Sequence, residues 1–196
     1  MHSQESGSLS GFIGVDTMKS RDIAVVGILL AAGAIVRYMS LLIPGPIVSN
    51  LVIAFYSLAI ILVAPTLREA LGIGVVAGVI CALISHSIFP PANLISEPLG
   101  AIACLGVYRM LRGRVPLAPA VTTLLATITS GSVFVFTALI AVAPTVLGSF
   151  GTASAYLAVT VPIVLITAVV NAAVAQALIA PASRALSQGR NLTDGA

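Results

Sequence analysis

The chain has 196 residues, of which 59% are apolar and 8% charged, with a mean hydropathy of +1.14. A soluble domain carries roughly 25% charged residues, so this composition excludes a soluble enzyme, a disordered tail and a nucleic-acid reader. The net charge of +3 comes from cations spread along the chain, which form no basic face and read instead as membrane-topology signals.

A bilayer core of about 30 Å takes roughly 20 apolar helical residues per crossing. The length therefore allows about six spans with short loops and no separate soluble domain. Residues 1–17 are polar and rich in Ser and Gly; they are expected to be a flexible extension, without the cationic start and short apolar core of a secretory signal. Residues 18–186 are expected to form a six-helix transmembrane substrate-binding domain, and residues 187–196 a flexible tail.

Prolines divide that domain. The first expected span, 22–43, ends at Pro44-Gly45-Pro46, and the second, 48–64, at Pro65. The third, 70–88, stops before Pro90-Pro91, and the fourth begins at Asn93 or Pro98 and runs to Leu111. The fifth, 117–143, ends at Pro144, and the sixth, 153–180, at Pro181. These blocks are apolar all round, as expected for an all-α membrane bundle with lipid on one side and protein on the other. Lys19, Arg21, Arg68, Arg109, Arg112, Arg114, Arg184 and Arg190 all fall on one side if both termini are cytoplasmic. Arg37 is the exception, near the outer end of the first span.

Several chemistries are excluded. Lys19 is the only lysine, so no Walker-type phosphate loop exists, and any ATP hydrolysis belongs to another subunit. The acids Glu5, Asp16, Asp22, Glu69, Glu97 and Asp194 supply no pair at one membrane depth, which removes a carboxylate–metal centre. Cys81 and Cys104 lie inside spans and make neither an expected disulfide nor a metal site. Ser130 or Ser132 with His86 lacks a nucleophile-elbow context, and small hydroxyls at such places commonly serve helix packing. The chain is read as neither an enzyme nor a cofactor protein.

The informative residues sit at the outer ends of the spans. They are Arg37 and Tyr38, Asn50, His86 with its flanking serines, Phe89, Asn93, Ser96 and Glu97. Charge at that depth is expensive and either pairs or faces a cavity. The functional reading is a pocket for a small zwitterion or carboxylate, with Arg37 forked onto the carboxylate and Glu97 accepting an ammonium or ring N–H. The structural reading is an Arg37–Glu97 pair that only holds two helices together. For His86, packing and ligand contact both stand. Tyr38, Phe55, Tyr56, Phe89, Phe150 and Tyr156 also fall toward the outer side, as stacking surfaces or as an interfacial belt.

Two readings exist for the segment before Pro98. In one, Ser96 caps a short fourth helix with Pro98 in its first turn, and the preceding loop dips inward toward the pocket. In the other, the helix starts at Asn93 after an ordinary loop. Small residues form two further stripes, Gly27, Ala31 and Ala34 in the first span and Gly74, Gly78 and Ala82 in the third. Such faces let helices approach closely; the third-span stripe suits internal packing, and the first-span stripe suits either packing or a partner.

The size, the six spans, the helix 1 small-residue face and the lack of an ATPase motif resemble the substrate-binding S components of energy-coupling factor (ECF) transporters. The nearest likeness is to the tryptophan-type S component. It is carried by Ala31-Ala32-Gly33-Ala34, Ile43-Pro44, the glycine-spaced third span, and Asn93-Leu94-Ile95 with Pro98. These stretches span about residues 22–111. Two positions depart from the family pattern: Ser96-Glu97 stands where an acid and a lysine are usual, and Arg37 where histidine is usual. The resemblance implies capture of tryptophan or a related aromatic compound at the outer face of the plasma membrane. It further implies docking through Gly27, Ala31 and Ala34 onto a transmembrane coupling subunit, powered by two cytoplasmic ATPases. Alternatives are an S component for a vitamin, an autonomous proton-coupled carrier using Glu97, and a non-transporting scaffold.

Overall fold

The computed structural model describes residues 18–41 and 50–194. The expected extension 1–17 and the Pro44-Gly45-Pro46 stop lie outside the described residues. Those described form seven α-helices and a single 3-10 turn, Pro90–Ala92, with no strand among them. The helices are α1 (Ser20–Leu41), α2 (Val52–Val63), α3 (Leu67–Leu83), α4 (Asn93–Leu111), α5 (Ala118–Ala141), α6 (Ala143–Phe150) and α7 (Ala153–Asp194). Among the described residues, four segments are long and apolar enough to cross a membrane: Ser20–Met39, Pro90–Leu111, Ala118–Ala141 and Ala153–Gln188.

The arrangement is that of a bundle with its polar groups inside. Large apolar side chains such as Leu83, Ile140, Ile28, Ile35 and Val169 point outward and are more than half exposed, whereas Arg37, Asn93, Ser96, Glu97, Ser130 and Asn171 are buried. Water would favour the reverse; lipid around the bundle accounts for it.

Helix α2 is the axis of the bundle. Its 12 residues span about 18 Å, short of the hydrocarbon thickness, and Val52 to Ile61 are buried with the exception of half-buried Phe55. It touches α1, α3, α4, α5 and α7, while α3 packs most extensively on α4, and α4 and α7 on α5. Helix α1 is peripheral: it rests on α2 with a small contact to α3.

The α2–α3 turn follows from local chemistry. Ala64 takes a left-handed conformation (φ 50°), its amide closes onto the Ile60 carbonyl, and Pro65 prevents continuation. Thr66 and Glu69 then form a capping box at the start of α3. Glu69 also accepts from the Met18 amide at 2.6 Å, Arg109 Nη2 donates to the Pro65 carbonyl at 2.9 Å, and Arg21 Nη2 to the Leu186 carbonyl at 3.1 Å. These bonds gather the start of α1, the α2–α3 turn, the end of α4 and the late part of α7 at one end of the bundle. Among the described cations, only Arg37 lies at the other.

Several expected boundaries are corrected. Helix α3 ends at Leu83 rather than 88, leaving residues 84–89 as a connection. Helix α4 begins at Asn93, so Ser96 is not its cap and Pro98 lies inside it. Helix α5 stops at Ala141, and an unexpected helix, α6, follows before the turn at Gly151 (φ 78°). Pro181 does not end the last helix: α7 runs through both Pro162 and Pro181 to Asp194. Proline deletes one helical hydrogen bond, but neighbouring helices and side chains in a membrane bundle re-satisfy the freed groups.

The α3 glycines are used internally. A Cβ on Gly74 would stand 2.6 Å from Pro98 Cα, and one on Gly78 2.7 Å from the Asn93 carbonyl oxygen. Only glycine lets α3 lie this close to the N-terminal half of α4, which carries Asn93 and Glu97. Gly27 on α1 has nothing within 4 Å of such a Cβ.

Candidate functional site

At the Arg37 end of the bundle lies a cavity of about 320 Å³ between the end of α1, the start of α2, the α3–α4 connection, and α4, α5 and α7. This is at the small end of the usual range for ligand pockets, about 300–1,000 Å³. Arg37 and Glu97 both line it and are 5% and 1% exposed.

The polar side is organised around Glu97. Its Oε1 accepts a hydrogen bond from Asn50 Nδ2 and its Oε2 accepts from Ser130 Oγ at 3.0 Å. The fully buried Tyr56 adjoins the same carboxyl group from α2. Asn50 Oδ1 accepts from Cys81 Sγ at 3.4 Å, and Asn93 Nδ2 donates to the Pro90 carbonyl at 2.8 Å, fixing the 3-10 turn to α4. Asn93 lines the cavity as the first residue of α4, so the helix presents its N-terminal end there, which favours a negative ligand group. A carboxylate accepts about four hydrogen bonds, so Glu97 retains acceptor capacity beyond Asn50 and Ser130.

The apolar side comes from α5 and α7. Phe134, Val135, Tyr156, Ile163 and Val164 line it together with Ile53 of α2. Tyr156 is held by a T-shaped contact with Phe150 of α6, ring centroids 5.1 Å apart, and Val146 of α6 is buried in the same cluster. Helix α6 thus backs the aromatic wall. At Gly131 the helices α5 and α7 meet closely: a Cβ there would fall 2.6 Å from Val164.

Of the residues expected at the site, Arg37, Asn50, His86, Asn93 and Glu97 line the cavity. His86 is exposed, between Ser85 and Ser87, which are bonded to each other through their hydroxyls at 2.7 Å. Three expected residues are not brought to it. Tyr38 is 57% exposed on the outside of α1, Phe89 precedes the 3-10 turn without lining the cavity, and Ser96 is buried away from it in α4. Ser130 donates to Glu97 rather than to a histidine. Cys81 and Cys104 are free and buried, and among the described residues no cluster of His, Cys, Asp and Glu could hold a metal ion.

Tyr156 apart, the α5 and α7 contributions lie outside the expected set. Thr127, Ser130 and Gly131, with Thr160 and Thr167, line the cavity. Singly, such residues read as helix packing. Their spacing carries the signal: Thr123, Thr127 and Ser130 on α5, and Thr160, Thr167 and Asn171 on α7, each repeat on one helical face.

An opposed charge pair and amides beside an aromatic and aliphatic wall suit a zwitterion with a flat apolar body. The family model for the tryptophan transporter TrpP matches residues 19–180, and TrpP is a family of ECF S components, in agreement with the resemblance read from the sequence. No curated protein and no solved structure gives a significant match.

Proposed function

The chain belongs to the tryptophan transporter TrpP family, and on that premise we propose that it captures tryptophan or a closely related aromatic amino acid as the membrane subunit of an ECF-type importer. In this reading α1 to α5 and α7 are six spans of a plasma-membrane bundle, both termini are cytoplasmic, and the cavity opens outward. The gathering of the other described cations at the opposite end supports that orientation. Arg37 forks onto the ligand carboxylate, Glu97 and Asn50 receive the ammonium, and Phe134 and Tyr156 face the indole. The observation that carries the reading is the placement of Arg37 and Glu97, both buried, on one cavity with an aromatic wall.

The chain contains no Trp, so the fluorescence of bound tryptophan can be read against tyrosine emission alone. Titration of the purified protein is expected to saturate, and Arg37→Ala to weaken binding at least about 10-fold, as for the loss of one charged hydrogen bond. Unchanged affinity would reduce the Arg37–Glu97 pair to a structural role.

ECF coupling adds a second expectation. Helix α1 is peripheral, Gly27 and Ala31 are exposed on it, and Ala34 is half-buried. The stripe is therefore available to a transmembrane coupling subunit, which would link the protein to two cytoplasmic ATPases. Leucines at Gly27 and Ala31 together are expected to abolish tryptophan uptake in cells while leaving the Kd of the purified protein unchanged. Proton-driven uptake by the protein alone in proteoliposomes would instead favour an autonomous carrier using Glu97.

A further inference from the structure

We propose that Asn171 is a positioning residue for the ligand site, holding Asn50, and through it Glu97, in place. The proposal rests on the functional reading above for its ligand but on separate geometry for its mechanism. Asn171 lies in the middle of α7, is fully buried and does not line the cavity. Its Nδ2 divides its two protons between the Asn50 carbonyl oxygen at 3.0 Å and Thr127 Oγ1 at 3.2 Å. The Thr127 hydroxyl passes its own proton to the Thr123 carbonyl at 2.8 Å. One amide therefore ties α7 to α5 and to the residue that leads into α2.

Asn50 needs this tie. It precedes α2, and the other bond to its carbonyl oxygen, from the Ile53 amide, is long at 3.4 Å. Its side chain serves two further helices at once, donating to Glu97 on α4 and accepting from Cys81 on α3. Asn171 fixes the Asn50 backbone, which aims the amide that orients the Glu97 carboxylate. In a water-poor interior the loss of the tie leaves a carbonyl under-bonded, and the backbone turns to find another donor.

The bundle supplies an internal reporter. Among the described residues α3 and α7 do not pack on each other, and Asn50 is hydrogen-bonded to both Asn171 and Cys81, so the Cys81 thiol reports on whether Asn50 moves. Cys104, equally buried and bonded elsewhere to the Ser57 carbonyl, is the reference thiol. Asn171→Leu keeps the branched shape and removes the donor; Asn171→Ala serves if the leucine variant does not fold. The expected result is a tryptophan Kd raised at least about 10-fold at temperatures where the variant stays folded. Maleimide labelling of Cys81 is expected to accelerate while that of Cys104 does not. In a Glu97→Gln background the same substitution is expected to cost much less affinity. Unchanged affinity, equal acceleration of both thiols, or the same fold-loss in both backgrounds would overturn the proposal. If the unaltered protein binds no tryptophan, the functional reading fails, and the labelling ratio of the two cysteines alone decides whether Asn171 holds Asn50.

Discussion

Replacing Glu97 by alanine is expected to raise the tryptophan Kd by about 100-fold, the largest effect of any single side chain in the cavity. Glu97 is the acceptor for both Asn50 and Ser130 and, among the described residues, the only acid that lines the cavity with Arg37. In the proposed binding mode its removal takes away the contact to the ligand ammonium, worth about 1.5–3 kcal/mol for a hydrogen bond to a charged group, and releases the amide and hydroxyl it organised. At about 1.4 kcal/mol per tenfold, that range is about 10- to 150-fold, and the loss of order places the outcome toward its upper end. Glu97→Gln separates the contributions. The glutamine can still accept from Asn50 and donate to Ser130, so the fold and melting temperature are expected to stay close to those of the unaltered protein. Without the negative charge, tryptophan binding is still expected to fall about 10-fold, measured by the same ligand fluorescence. Binding equal to that of the unaltered protein in Glu97→Gln would assign Glu97 to holding the helices alone.

What could be read from the chain, and what could not, follows from how much each residue type costs in a membrane. Arg37, Asn50, Asn93 and Glu97 are expensive there, so their presence alone marks them, and the structure places all four on one cavity. Thr127, Ser130, Thr160 and Thr167 line the same cavity, but a hydroxyl can bond a carbonyl in its own helix, as Thr160 does with Tyr156 at 2.9 Å. It is cheap at almost any depth and leaves only a periodicity to notice. Tyr38 lies off the cavity because two adjacent helical residues point about 100° apart: Arg37 turns inward and Tyr38 outward. Prolines were sound stops where the next residue supplied a cap, as at Pro65-Thr66. Pro181 does not act as a stop, because the bundle tolerates a missing hydrogen bond there as it does at Pro162. Helix α6 has eight residues, two turns between two long spans, and its composition resembles theirs.

Alanine at Gly78 is expected to be among the most destabilising conservative changes in the protein, although it adds one methyl group to an apolar helix. The added Cβ would stand 2.7 Å from the Asn93 carbonyl oxygen and 3.3 Å from Leu94 Cα, and at Gly74 it would meet Pro98 Cα at 2.6 Å. These are backbone atoms, so no side-chain rotation relieves the clash, and α3 and α4 must separate. Overpacking of this kind costs about 1–3 kcal/mol, or about 3–10 °C in melting temperature for a chain of this size. Separation also moves Asn93 and Glu97, since both ride on the displaced half of α4, so tryptophan affinity is expected to fall with stability. Gly27→Ala is the control within the same residue class: its Cβ meets nothing within 4 Å, and replacing an exposed helical glycine removes backbone freedom from the unfolded chain. Its melting temperature is expected to be unchanged or slightly raised, and its affinity unchanged. A Gly78→Ala protein with both the melting temperature and the affinity unaltered would show that α3 and α4 do not pack at the observed distance. Loss of affinity without loss of stability would show that α4 shifts as a rigid unit, carrying the Glu97 carboxylate away from Asn50.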